Sequence, residues 1–457
     1  MPAEESKSNH KLPGFGGVKL AAVSLGCSKN RIDTEEVLGL LAKLGFVLTD
    51  DSHNADVVIV NTCSFIDQAQ QESINKLLEI SNAGSRRQQK IVAAGCLVEL
   101  FGSKIIKKIP EIDGAIGVHS YDRLEKFMKM LLSGNRPFIK KQPSTEYSSL
   151  SPRILTTPGH SANVRIAEGC SNRCHYCLIP SIRGSYRSRT PEEIVVEING
   201  LLEKGTREIN LIAQDTTAYG ADRKDLPNLS GLIRQILKTK HQFWLRIMYT
   251  YPSRIDDQLI DLIAAEKRVC KYLDIPIQHV SDQVLKRMNR KYGKEELSIL
   301  LQKLRKRIPN LALRTTCMVG YPGEGRRQFG ELIDFITENP FERLGAFTYS
   351  SQENTVAGCS LEKIPRRVVN KRHRELMLRQ QFISNALNCK LVGRELTVLV
   401  DRVLEPGSKR YYGRTEYQAP EVDGGVFFRS QRPLSPGDLV SVKVFAASPY
   451  NLLARAY

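Results

Sequence analysis

Three cysteines stand close together near the middle of this sequence. Cys170, Cys174 and Cys177 lie in EGCSNRCHYC with the spacing C-x3-C-x2-C, directly after a strand-like run. Soft thiolates this close can ligate an iron–sulfur cluster. Zinc is the alternative, but a structural zinc site wants a fourth Cys or His. His175 is adjacent to Cys174, which makes shared tetrahedral ligation awkward. A cubane held by only three cysteines keeps one iron open to a further ligand.

Cys27, Cys63 and Cys96 are far apart in sequence, yet each ends a predicted strand, in VSLGCSKN, VIVNTCSFI and VAAGCLVE. In a parallel sheet such ends share one edge, where ligands bind in open α/β folds. Three thiols on that edge make a candidate second cluster. The competing reading is three small core residues, since free cysteine is often simply buried. Cys270, Cys317, Cys359 and Cys389 share no spacing and read as ordinary thiols, although Cys317 lies in a strand that could line a cavity. Other candidates sit on strand ends. They are Gln214 and Asp215, Gln278 and His279, and the Gly-bearing turn Gly320, Pro322, Gly323, Glu324. Backbone at such a turn can approach a cofactor closely. Asp215 could equally cap the next helix, and His279 could satisfy a local hydrogen bond. Arg183, near the cysteine loop, could pair with an anion or simply face solvent.

The elements that must position these residues alternate. Residues 1–18 read as a flexible tail. From 19 to 135, short apolar runs alternate with helical stretches, the pattern of a parallel α/β domain. Residues 136–160 are rich in Pro, Ser and Thr and read as a linker. Residues 161–390 hold six strand candidates with helical patterns between them, which predicts a central partial (β/α) barrel with chemistry at the C-terminal strand ends. From 391 to 457 short β segments with Gly, Pro and Asp turns predict a small C-terminal β-barrel.

The chain has 457 residues, ten cysteines and a net charge of +18. Ten cysteines are too sparse for a disulfide scaffold. No apolar run is long enough to span a bilayer, and the first residues lack the apolar core of a secretory signal. A cytoplasmic protein with no membrane partner is expected. The basic excess sits in residues 137–390, fifteen charges of it, which suits a polyanionic partner such as nucleic acid or a ribonucleoprotein.

The segment CSNRCHYC, with Tyr176 at the aromatic position, resembles the C-x3-C-x-aromatic-C hallmark of radical S-adenosylmethionine enzymes. The further cysteines resemble those of methylthiotransferases within that class, which carry a second cluster in an N-terminal domain. The likeness covers about residues 19–457 and includes a tail similar to TRAM modules. SLGCSKNRIDTE, NTCSFI, YLDIPIQH and YGRTEYQAPEVDG resemble the branch that modifies an aspartate of the twelfth small-subunit ribosomal protein; the tRNA-adenosine branch, which typically carries Ser at the position of His279, is the alternative. Gly325-Arg326-Arg327 departs from the acidic stretch expected after VGYPGE.

The resemblance implies two [4Fe–4S] clusters, one on Cys170, Cys174 and Cys177 and one on Cys27, Cys63 and Cys96. It implies S-adenosylmethionine as cofactor, bound by the strand-end residues, and methylthiolation of the aspartate β-carbon. The implied partners are that ribosomal protein, met near ribosomal RNA or in assembly, and an electron donor. A non-catalytic, cluster-containing RNA- or ribosome-binding protein is the non-enzyme alternative. The nearly neutral tail is expected to be a separable docking module that uses Glu416, Glu421 and Asp423.

Overall fold

The runs VVIVNT at 57–62 and KIVAAG at 90–95 are too short for helices and rich in small and β-branched residues, which suits strands covered on both faces. All of the first run and all but Lys90 of the second are buried. They form the centre of a six-stranded sheet built from β1 (Lys19–Ser24), β2 (Val47–Leu48), β3 (Val57–Thr62), β4 (Lys90–Gly95), β5 (Gly114–Ile116) and β6 (Phe138–Ile139). The order is β2-β1-β3-β4-β5-β6, with every pairing parallel. Helices Ser28–Lys43 and Leu124–Leu132 close one face, and Asp67–Ala83 with Cys96–Phe101 the other.

The computed structural model describes residues 15–83, 89–143 and 153–456. They form two compact units that divide between Thr156 and Thr157. Two boundaries read from the sequence need correction. Of the expected tail, residues 1–14 lie outside the described residues, but Phe15 is buried and stacks on Phe46 at 4.7 Å between ring centroids. The expected linker is partly built into the first unit. Phe138 and Ile139 pair with β5, and buried Glu35 accepts hydrogen bonds from Arg153 Nε at 2.7 Å and from Thr156 N at 2.8 Å. A buried carboxylate needs such partners, and a Pro/Ser/Thr-rich composition does not reveal them.

In the second unit, β7 (Ser161–Arg165) is followed by the short strands β8 (Ala167–Glu168) and β9 (Arg187–Ser188), which pair antiparallel. Then come β10 (Glu208–Ile212), β11 (Trp244–Ile247), β12 (Val269–Asp274), β13 (Ala312–Val319) and β14 (Arg343–Thr348). The sheet order β7-β10-β11-β12-β13-β14 follows the chain, all parallel, the winding of a (β/α) barrel left open between its end strands. β15 (Glu395–Val403), β16 (Arg410–Arg414), β17 (Val426–Arg429), β18 (Leu439–Ala447) and β19 (Leu452–Ala456) close a separate small barrel. Among the described residues no helix is long and apolar enough to cross a membrane.

The small barrel is joined to the partial barrel by buried charge. Glu208 of β10 is fully buried, with Arg414 Nη2 at 2.7 Å and Arg246 Nη2 at 2.9 Å. Burial alone would raise its carboxyl, but the two guanidinium groups outweigh that and hold it at about 2. Arg414 also pairs with Asp401, which meets His160 at 3.0 Å. The residues expected to dock a partner are partly spent here. The Glu416 carboxylate accepts the Lys271 backbone N–H at 2.9 Å, and Asp423 accepts the Tyr272 hydroxyl at 2.8 Å. Only Glu421 of the three is exposed. Sequence does not distinguish an acid turned to solvent from one turned to a neighbouring barrel.

Candidate active site

The loop carrying Cys170, Cys174 and Cys177 leaves β8 and returns as β9. Gly169 opens it with φ +79°, and a Cβ there would stand 2.1 Å from the Ser185 carbonyl oxygen. Only glycine fits, and the close approach lets Cys170 N donate to Gly184 O at 3.1 Å. The Cys177 amide bonds Cys174 O at 3.1 Å, and Ile179 N points at Cys177 Sγ at 3.5 Å. Burial pushes the Cys170 thiol up to about 11 and the Cys177 thiol up to about 12, with the neighbouring cysteines adding to both. Three soft sulfur donors on one loop, which ligate as thiolates, are the donor set that suits an iron–sulfur cluster. His175 is no fourth ligand through Nδ1, which lies 2.9 Å from Arg287 O; a carbonyl only accepts, so this nitrogen carries a proton. Among the described residues no three His, Cys, Asp or Glu side chains converge as a single metal ion would need. A cubane is held at its corners, by thiolates that stand further apart.

Asp215 follows β10 and does two jobs. Its Oδ1 accepts Ala218 N at 3.2 Å, the helix cap anticipated as one reading, and its Oδ2 accepts Asn172 Nδ2 from the cysteine loop at 2.9 Å. Arg254 pairs with the same Oδ2 at 2.5 Å. Gln214, beside it, is half-buried. Gln278 has φ +64° and bridges Cys317 of β13, so its peptide turns out of the ladder. His279 is fully buried; its Nδ1 accepts Ser281 N at 3.0 Å, which leaves the proton on Nε2. Burial holds it neutral, down to about 3. Nε2 stands 3.8 Å from Glu324 Oε2, which accepts Gly320 N at 2.7 Å. Burial raises the Glu324 carboxyl to about 7 against the pull of Arg372 at 2.7 Å. Gly320 and Gly323 both have positive φ, and a Cβ on Gly323 would meet the Arg287 guanidinium at 2.3 Å. Pro322 sits between them. Tyr321 of this turn meets the motif's Tyr176 edge-on, at 6.3 Å between centroids.

Arg183 is buried and turns to Glu168, 3.4 Å away, so its anion is the protein's own. Arg326 and Arg327, the departure noted above, open the helix Arg326–Glu338, where Arg327 pairs with Glu331 on an exposed face. Cys317 is a core thiol pushed up to about 12 by burial alone. Sequence reasoning missed Asn172, Arg254, Arg290 and Arg372. Arg290 Nη1 reaches Cys174 Sγ at 3.6 Å across 116 positions of chain, a separation that no local spacing signals.

In the first unit Cys27, Cys63 and Cys96 follow the C-terminal ends of β1, β3 and β4, which are neighbours. Buried Asn30 ties the three ends together. Its Nδ2 donates to Leu25 O at 3.1 Å and Thr62 O at 2.8 Å, and its Oδ1 accepts from Cys96 Sγ at 3.4 Å. A Cβ on Gly26 would lie 2.7 Å from Cys63 Sγ, so the Cys27 loop is drawn onto that thiol.

Residues 164–336 match the Radical SAM superfamily, residues 19–117 the Uncharacterized protein family UPF0004, and residues 392–456 the TRAM domain. The fold is similar to that of the radical S-adenosylmethionine methyltransferase TsrM from Kitasatospora setae, with TM-score 0.56 and 16% identity over 75% of this chain and 74% of that one. The chain is 43% identical to "Ribosomal protein uS12 methylthiotransferase RimO" of Pelotomaculum thermopropionicum, over 95% of its length and 98% of the relative's. It is 41% identical to the protein of that name from Heliobacterium modesticaldum, over 96% and 95%. Fold, cysteine loop and relatives together define a radical S-adenosylmethionine methylthiotransferase. The chain belongs to the RimO family of ribosomal protein uS12 methylthiotransferases.

Proposed function

We propose that this protein adds a methylthio group to the β-carbon of an aspartate in ribosomal protein uS12. The cysteine loop, fixed at the mouth of the partial barrel by Gly169 and by Asn172 on Asp215, carries this reading. Cys170, Cys174 and Cys177 would hold a [4Fe–4S] cluster, which with S-adenosylmethionine would supply radical chemistry able to remove a hydrogen that no side-chain base removes at neutral pH. The chain's own part is to position and to keep water out. Asp215 anchors the loop and, with Gln214, Gln278 and His279, rims the cofactor. The turn of Gly320, Pro322, Gly323 and Glu324, packed on Val369 and Arg287, is assigned to the same rim. Burial keeps His279 neutral, and Glu324, raised by burial, is paired with Arg372.

Cys27, Cys63 and Cys96 would hold a second cluster, which would supply the sulfur. The support is one sheet edge, three adjacent strand ends and the Asn30 tie. The partners are uS12, met in the cytoplasm near ribosomal RNA, and a low-potential electron donor. Reconstituted protein with cofactor, reductant, uS12 and tRNA tests this. Mass spectrometry should find the methylthio group on uS12. Methylthiolated tRNA with untouched uS12 would move the assignment to the tRNA-adenosine branch, and no cofactor cleavage at all would favour a binding protein.

A further inference from the structure

Arg290 lies beside the cysteine loop with each of its nitrogens engaged. Nε donates to Tyr292 Oη at 2.6 Å, Nη2 to Pro276 O at 2.7 Å, and Nη1 points at Cys174 Sγ at 3.6 Å. Its guanidinium carbon stands 4.3 Å over the Tyr251 ring and 4.9 Å from that of Tyr292. The two rings meet edge-on at 5.5 Å between centroids, and Tyr292 Oη in turn donates to Ile277 O at 3.0 Å. The fork is thus clamped in one orientation. Among its described partners none is a carboxylate. Other arginines near the site differ: Arg254 pairs with Asp215, Arg372 with Glu324 and Arg287 with Glu362. A fixed cation in aromatic surroundings calls for a counter-charge, and among its described partners the group that could take one on, by ligating a cluster, is Cys174 Sγ.

We infer that Arg290 tunes the cluster held by Cys170, Cys174 and Cys177, its fixed positive charge and hydrogen bond to Cys174 favouring the reduced level. The inference rests on the assignment of those cysteines. Reduction adds one electron from an external low-potential donor, and a nearby cation stabilises the more negative state, which raises the potential. A reduced cluster held there would supply the electron that cleaves S-adenosylmethionine at its sulfur–C5′ bond, with methionine as the leaving group. Arg290 touches a ligand of the cluster, so it is a positioning residue.

The test uses full-length protein carrying Cys27→Ala, Cys63→Ala and Cys96→Ala, so that one cluster remains, with and without Arg290→Gln or Arg290→Lys. A potentiometric titration followed by electron paramagnetic resonance reads the midpoint potential. Arg290→Gln should keep its iron and shift the potential downward, with Arg290→Lys in between. With a reductant just strong enough for the parent, cofactor cleavage by Arg290→Gln should fall about tenfold or more, since a charge-assisted hydrogen bond is worth at least one decade. A stronger reductant such as Ti(III) citrate should restore it, which it would not do for a merely misfolded loop. An iron-replete Arg290→Gln protein with unchanged potential overturns the inference. So does loss of iron in both variants, which would make Arg290 a clamp of the fold. Absence of any cluster signal in the parent overturns the cysteine assignment itself.

Discussion

At the scale of single residues, the site depends on atoms that leave no room for substitution. Gly169→Ala would put a methyl group into the Ser185 carbonyl at a left-handed φ. We expect this variant to lose about half of the iron, four of about eight atoms when both sites hold cubanes, and all cofactor cleavage. Iron assay and 5′-deoxyadenosine release check it. Replacing Cys170, Cys174 and Cys177 by Ala should give the same result. Replacing Cys27, Cys63 and Cys96 should halve the iron and leave cleavage intact. Glu208 offers a second probe. Its carboxyl sits at about 2 in the fold against an ordinary 4.5. The ionised form is favoured in the folded state, so its contribution is complete above about pH 4.5 and is lost as pH falls toward 2. A shift of that size is worth about 3 kcal/mol. Glu208→Gln should therefore lower the unfolding midpoint near neutral pH, and the gap to the parent should narrow below pH 4.5. Trp244, the single tryptophan, lies in the neighbouring strand and reports the transition by fluorescence.

At the scale of elements, parallel strands explain why part of the site was legible. Cys27, Cys63 and Cys96 could be grouped from sequence because each follows an apolar run, and a parallel sheet brings such ends to one edge. Cys170, Cys174 and Cys177 needed no fold at all, being contiguous. Asp215 and His279 were singled out for the same strand-end reason. Asn30, Asn172, Arg254 and Arg290 were not, because each acts across a loop or a distant helix and has no spacing of its own. Glu416 and Asp423, expected as docking groups, are bonded to Lys271 N and Tyr272 Oη, and a composition does not tell such an acid from an exposed one. Asn30 now yields a prediction of its own. Asn30→Ala removes the side-chain donor to Leu25 O and Thr62 O, at a cost of about 1–3 kcal/mol for each buried carbonyl. The variant should lose the N-terminal cluster while cofactor cleavage persists, as iron assay and product analysis would show.

At the scale of the whole molecule, the C-terminal barrel is built in rather than appended. Removing residues from 393 onward would strip Arg414 from Glu208 and leave Arg246 to balance it alone. Breaking a buried pair by deleting one partner costs about 3–5 kcal/mol. We expect the truncated chain to unfold at lower temperature and to be cut by protease within the partial barrel, against the sequence-based expectation of a free-standing module. A truncation with unchanged melting temperature and full cofactor cleavage would restore that expectation.

The two cysteine sets also differ in when they can exist. Cys170 to Cys177 is one short loop, whereas Cys27, Cys63 and Cys96 meet only after β1, β3 and β4 have paired and Asn30 has closed on them. Ligands that await distant pairings assemble later. Limiting iron added to refolding apoprotein should therefore fill the barrel first, seen as cofactor cleavage that precedes any methylthiolation. A half-furnished molecule would consume S-adenosylmethionine and yield nothing. In a cell short of iron, incomplete maturation would then spend the adenosyl group of S-adenosylmethionine and return only methionine, rather than being a neutral delay.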